Sequence, residues 1–459
     1  MALLSACQSV GPDYQRPNID VPTKYGEATS AGNADSTIVL NTWWTLYQDT
    51  ALNGLVEKAL KNNTDIKLAL ARIEEADAAA REVGAAVLPQ VDLTSGANRS
   101  RLTTVGAYPS GLTNPSNDFI AKLGLSYELD FWGRVRRTKE SARAQVFSTH
   151  DAKDTVALSI SGLIVNNYFS LRSLDSQIEI SQKNLKIRNE SLALTQRRLE
   201  GGVASILDVH QAEVASANLN AQIADLTRLR ALALHQLALI TGELNLKIAA
   251  ADIQSLPIPP TPSVGMPSSL LESRPDVRQA EQQMISANAN IGVAKAALYP
   301  TISLTGSLGA ESLELGDILK SAARIWSGGI SLNLPIFDAG KRNARVDQAT
   351  AKQKQALAQY ESSIQNAFTE VNDALVNLRQ NTERETALNT SQYAAKKALD
   401  IVNNRYQAGY SGYLEVLDAQ RVDNEAALAF IQSRQARLGA SVDLFKVLGG
   451  GWQSPENSK

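Results

Sequence analysis

The chain has 459 residues with 45 basic and 47 acidic side chains, a net charge of -2, and aromatics at 5 %. That balance leaves no basic footprint for nucleic acid and few rings for base stacking. No apolar run approaches the roughly 18 to 20 residues of a membrane-spanning helix, so any passage through a membrane must be made by strands. The sole cysteine, Cys7, excludes an intrachain disulfide.

Cys7 stands in Leu4-Ser5-Ala6-Cys7, which is similar to the lipobox of bacterial lipoproteins. There the cysteine becomes the acylated N-terminus, and the short apolar stretch 1–7 reads as the remnant of a longer leader. Gln8, rather than Asp, is the residue expected after Cys7 for sorting to an outer membrane. Residues 8–48 hold Pro12, Pro17 and Pro22 without helical period and read as an extended segment.

A helical, alanine-rich pattern then runs from about Asp49 to Leu88, where Pro89 ends it. Period-two alternation follows, weak over about 89–102 and strong over about 119–131. Phe119, Ala121, Leu123, Leu125, Tyr127, Leu129 and Phe131 are apolar, and most residues between them are polar or small. Strands near ten residues long with one apolar face suit a transmembrane β-barrel or one half of a soluble sandwich. Four strands cannot close a barrel alone, and lipid forbids their open edges. Either the sheet is soluble, or several chains contribute to one barrel.

From Gly133 the pattern is helical again. Ala157, Ile164, Leu171, Ile178, Leu185, Leu192 and Leu199 recur at spacing seven, a coiled-coil seam. Such a helix is about 100 Å long at 1.5 Å per residue. It turns at Gly201-Gly202 and returns over 205–241, a hairpin spanning 133–242. The Pro-rich stretch 243–275 links this to a second copy of the whole series.

The duplication is direct. Asp65–Gly84 matches Asp276–Lys295 at an offset of 211, and Pro89 matches Pro300. Gly133 matches Gly340, Arg198 matches Arg405 and Gly202 matches Gly409, now at an offset of 207. One structural unit is used twice, giving repeat 1 over 49–242 and repeat 2 over 276–449. In the second, strands fall at about 300–310 and 325–337, the long hairpin spans 340–449, and 450–459 is a tail. Its heptad keeps Ile364, Val371, Leu378, Leu399 and Tyr406, but Glu385 and Gln392 break the stripe. Pro89, Pro300, Gly133 and Gly340 mark the helix–strand junctions.

The order helix, proline, strand pair, long helix, tight turn, return helix, twice over, resembles the TolC family of outer membrane factors, within it the OprM-type lipoprotein branch. The resemblance is carried by Gly11-Pro-Asp-Tyr-Gln-Arg-Pro17, Trp43-Trp44, Ser273-Arg-Pro-Asp-Val-Arg278 and Leu334-Pro-Ile-Phe-Asp338. Asn404-Arg-Tyr-Gln-Ala-Gly409, Leu417-Asp-Ala-Gln420 and Leu448-Gly-Gly-Gly-Trp452 add to it. It implies a mostly α homotrimer: an α-helical periplasmic barrel and a 12-stranded transmembrane β-barrel, four strands per chain, with 8–48 and 243–275 about its middle. The implied function is the outer-membrane exit duct of a tripartite efflux pump. Partners would be a periplasmic adaptor, an inner-membrane pump of RND type and outer-membrane lipid.

A duct needs a gate. Glu415 and Asp418 lie three apart just past the second turn and share a helix face. Threefold symmetry would make them stacked carboxylate rings, which favour cations and resist close packing. They match the family's acidic constriction residues. Asp208 stands at the Glu415 position of the first copy, whereas Gln211 replaces Asp418. Some family members carry an Arg where this chain has Ser411, so Tyr406 or a hydrogen bond from Ser411 would substitute. The gate candidates are therefore Asp208, Tyr406, Ser411, Glu415 and Asp418. Gly201, Gly202, Val203, Gly409, Tyr410 and Gly412 at the hairpin tips are where an adaptor would dock, small residues permitting close approach.

No enzyme motif emerges, and no cofactor or metal is expected: His150, His210 and His235 lack ligand spacing. The competing reading is a soluble or surface-anchored coiled-coil scaffold without channel activity.

Overall fold

The computed structural model describes residues 9–20, 22, 24–27, 42–103, 105, 114–262 and 273–450. In chain order these form a 3-10 turn Trp43–Tyr47, α1 Thr50–Asn62, α2 Thr64–Ala85, β1 Gln90–Ser100, β2 Ser116–Glu128, α3 Arg134–Glu200 and α4 Ile206–Thr241. There follow α5 Pro275–Ala296, β3 Thr301–Ser312, β4 Arg324–Asn333, α6 Lys341–Gln407 and α7 Tyr413–Val447. No helix among the described residues is long and apolar enough to cross a membrane.

The expected single helix from Asp49 to Leu88 is broken at Asn63. The Asn63 carboxamide oxygen accepts the amides of Asp65 (2.8 Å) and Ile66 (3.3 Å), capping α2, while its nitrogen donates to the Ile240 carbonyl at 2.8 Å. A side chain that caps one helix and ties down the end of another makes the interruption stable.

The chain divides into two compact units, each drawing on both repeats rather than following their boundaries. The first comprises residues 1–18, 72–150 and 279–361, the second 19–71, 151–278 and 362–459. The first unit carries one antiparallel sheet in the order β1-β2-β3-β4. β2 starts at Ser116 and stops at Glu128, three residues before its expected limits at both ends. β4 stops at Asn333 rather than 337, because Pro335 has no amide for a ladder.

The register sorts the sheet by chemistry. Leu93 faces Leu123, Leu123 faces Leu308 and Leu308 faces Trp326, one apolar row across all strands. On the other face Gly124 is opposite Ser307, whose hydroxyl is 2.8 Å from that of Ser327. The apolar row is uncovered in the single chain, with Leu93 at 73 %, Leu308 at 64 % and Trp326 at 81 % exposure. β1 and β4 are open edges.

Long helices begin at matching devices. Gly133 (φ +78°) and Gly340 (φ +83°) take the left-handed conformation that glycine adopts without strain. Asp130 then accepts the amides of Val135 and Arg136, and Asp338 that of Arg342. Both acids compensate helix N-termini. Pro300 gives its carbonyl to the Trp132 indole N–H at 2.8 Å.

The second unit holds the main core. Trp43 stacks on Phe445 at 5.6 Å, and Tyr47 meets Phe169 edge-on at 4.9 Å. Ile253 and Leu256 of the linker enter the same cluster. Each such side chain contributes on the order of 1.5–3 kcal/mol on burial. The linker's backbone is satisfied by side chains instead of a sheet: Arg172 donates to the Ala249 carbonyl, Arg230 to that of Ile248, and Asp175 accepts from the Ala251 amide. Asp175 in turn pairs with both arginines. Glu385, one of the residues that break the second heptad, is buried between Arg434 (3.0 Å) and Arg437 (2.8 Å) of α7. The stripe is interrupted there because an ion triad replaces an apolar contact.

Candidate functional site: the two hairpin tips

Both hairpins close with the same backbone. Val203 N–H donates to the Arg198 carbonyl (2.9 Å) and Gly202 N–H to that of Leu199 (2.9 Å). In the second copy Tyr410 N–H bonds to Arg405 (2.8 Å) and Gly409 N–H to Tyr406 (3.1 Å). Gly202 (φ +75°) and Gly409 (φ +80°) are left-handed, so each turn is a Schellman motif. Beyond the turns the copies part.

In the first tip Ser205 begins α4. Its hydroxyl accepts the Asp208 amide (3.2 Å), and the Asp208 carboxylate accepts the Ser205 amide (3.0 Å), a closed capping box. Asp208, expected among the gate acids, is thereby engaged within its own turn. In the second tip the position of Ser205 is taken by Gly412, whose extended backbone (φ -77°, ψ 161°) offers no side-chain cap. Helix α7 starts with its first amides unsatisfied by any side chain from the N-cap.

What holds the second tip is aromatic. Tyr413, at 5 % exposure, packs with Ala212 of α4 and Val416. Tyr406 lies 5.7 Å from the Tyr413 ring, and the Arg198 guanidinium sits 4.5 Å over the other ring. A cation over a tyrosine face is worth about 0.5–1 kcal/mol where solvent reaches it. The Ser191 hydroxyl donates to that of Tyr413 at 3.2 Å. Burial raises the Tyr413 phenol above its ordinary range. At the corresponding first-tip position stands Ile206, 57 % exposed.

Glu415 and Asp418 are exposed on the first turns of α7. Glu415 has no hydrogen-bond or ionic partner among the described residues. Asp418 is bound by Arg421 at 2.7 Å, and Arg421 continues to Glu425 at 3.0 Å. Arg421 was not among the expected residues, although its spacing of three from Asp418 and four from Glu425 is legible in the sequence. The expected hydrogen bond from Ser411 is not made among the described residues, where its hydroxyl is shielded without a partner.

Between α4 and α7 lies a groove of about 730 Å³. Leu207, His210 and Val214 form one wall, Leu414, Leu417, Asp418 and Arg421 the other. Arg188 enters from α3, donates to the Ala215 carbonyl at 2.8 Å, and has its pKa lowered by burial. At the very end of the hairpins Val203 (77 %) and Tyr410 (78 %) project into solvent beside the turn glycines. Cys7 lies outside the described residues. No cluster of three or more metal-ligating side chains occurs among the described residues.

Comparison with known proteins adds to this geometry. The profile of the outer membrane efflux protein family matches residues 55–243 and 266–450, one segment on each copy of the repeat. The chain is similar to the probable efflux pump outer membrane protein TtgC of Pseudomonas putida, 32 % identical over 98 % of this chain and 94 % of that one. It is 33 % identical to the pyoverdine export outer membrane protein OpmQ of Pseudomonas aeruginosa, covering 99 % of this chain and 97 % of the relative. The solved outer-membrane channel OprN superposes with a TM-score of 0.89 at 31 % identity, over 97 % of this chain and all (100 %) of the other.

Proposed function

The chain belongs to the outer membrane efflux protein family, and from that premise we propose that it is the outer-membrane exit duct of a tripartite efflux pump, assembled as a homotrimer. The observation that carries this reading is the sheet: one wholly apolar row, Leu93 to Trp326, uncovered beside two open edges. Pairing β4 of one copy with β1 of the next removes every edge, and three copies of four strands close a barrel of twelve. The apolar row then faces lipid, and the serine and glycine face lines water. A soluble scaffold has no use for that uncovered row.

The helical hairpins would reach a periplasmic adaptor and an inner-membrane pump of RND type, with the adaptor docking on Val203, Tyr410 and the turn glycines Gly201, Gly202, Gly409 and Gly412. Cys7 would carry the lipid anchor. The gate belongs to the second tip. Glu415 and Asp418 repel their symmetry mates, Arg421 moderates Asp418, and the Tyr406–Tyr413 pair holds α7 against the first hairpin. Opening releases that pair and swings the second hairpin outward.

Purified protein in detergent should run as a heat-modifiable trimer, fractionate with outer membranes and conduct in planar bilayers. A protein that stays soluble without detergent and carries no current would favour the scaffold instead.

A further inference from the structure

Well away from the tips, α3, α6 and α7 line an open hollow of about 560 Å³, five of whose ten lining residues are carboxamides. Asn166 and Phe169 come from α3, Asn377 and Asn381 from α6, and Gln432, Gln435 and the exposed Asp443 from α7. The hollow exists because α7 carries small residues where it passes α3. Ala436, Gly439 and Ala440 fall on one helix face, and a Cβ on Gly439 would approach the Asn166 side-chain oxygen to 3.3 Å.

Two of the amides are engaged elsewhere: Gln432 donates to the Gln177 side chain at 3.3 Å, and Asn381 to the Asn377 backbone carbonyl at 2.8 Å. The side chains of Asn166, Gln435 and Asp443 make no hydrogen bond to other described residues. No lysine, arginine or histidine lines the hollow, so the Asp443 charge is not neutralised within it.

We propose that this hollow binds a small protonated amine that also carries hydroxyl groups, an amino sugar being the simplest case. The carboxylate accepts a charge-assisted bond from the ammonium. Carboxamides supply donors and acceptors together, as hydroxyls require. An apolar ligand would leave these groups unpaired. Asp443 is the one carboxylate in the lining, and no group of three or more His, Cys, Asp or Glu that could hold a metal ion occurs among the described residues. As a halting point for cargo the site rests on the duct reading above; as a binding site it does not.

The test titrates glucosamine and its neutral analogue N-acetylglucosamine into the detergent-solubilised full chain, followed by saturation-transfer NMR. Glucosamine binds saturably and about fivefold tighter than the neutral analogue, the size of an exposed charge pair. Asp443→Asn removes that preference, and Ala436→Phe, which fills the hollow, abolishes both signals. Glu415→Gln with Asp418→Asn leaves them unchanged, which separates the site from the gate acids. Absence of saturable binding, or a glucosamine preference that survives Asp443→Asn, overturns the proposal. Failure of the duct reading appears separately, as absence of bilayer conductance.

Discussion

The two hairpin tips share a backbone and differ in how they are fastened. The first closes on itself: Ser205 and Asp208 satisfy each other's amides, and Ile206 is left exposed. The second has glycine for the cap and fastens through Tyr413 to residues of the first hairpin, Ser191 and Ala212. A turn secured by its own residues keeps its form whatever its neighbour does. A turn secured by a neighbour can be undocked as a piece. Duplication supplied two equal supports, and substitutions at a few matched positions left one fastened by its own cap and the other by its neighbour.

The comparison breaks most sharply at the tyrosine. Tyr413→Ala should destabilise docking of the second tip by about 3 kcal/mol, read as faster hydrogen exchange over residues 402–420. Its counterpart Ile206→Ala should change exchange in the first tip by no more than about 0.5 kcal/mol. Equal responses would erase the distinction between self-fastened and neighbour-fastened turns.

Caps give the next effect. Ser205→Ala should cost about 1 kcal/mol in the first tip alone, seen as fraying of the start of α4 by exchange. Gly412→Ser, at a compatible extended backbone, should steady α7 by a few tenths of a kcal/mol and reduce spontaneous opening events in bilayer recordings.

Smaller still is Arg421→Gln. The exposed pairs with Asp418 and Glu425 contribute at most about 1 kcal/mol to stability. Freeing both carboxylates should nevertheless raise cation preference, measured as a shift in reversal potential under a salt gradient.

Alkaline pH sharpens the contrast without mutation. The folded-state pKa of Tyr413 is raised by burial above that of the unfolded chain, near 10. The stability it contributes is complete below about pH 10 and is lost as pH rises further, because only the unfolded form sheds its proton there. Exchange in the second tip should accelerate above that pH before exchange in the first.

Much of this was legible in the residues. The heptads, the terminating prolines, the alternation in the strands and the matched glycines all express local periodicity, which a sequence carries openly. The break at Asn63 was not, because its stability comes from a bond to the Ile240 carbonyl, distant in sequence. Glu385 interrupts an apolar stripe, and its partners Arg434 and Arg437 lie on α7, 49 and 52 residues away in sequence. The lost cap was available in principle: aligning the copies sets Gly412 under Ser205 and Tyr413 under Ile206. What the alignment cannot reveal is that Tyr413 turns inward onto Ala212, since docking between hairpins depends on three-dimensional phase rather than on spacing.

Single-channel recording of paired carboxylate variants tests the gate assignment most directly. Glu415→Ala with Asp418→Ala should raise conductance and lower cation preference, while Asp208→Ala, whose carboxylate serves its own cap, should leave both near those of the parent protein. Unchanged conductance and selectivity in the second-tip variant, or an equal change from Asp208→Ala, would contradict a gate confined to the second hairpin.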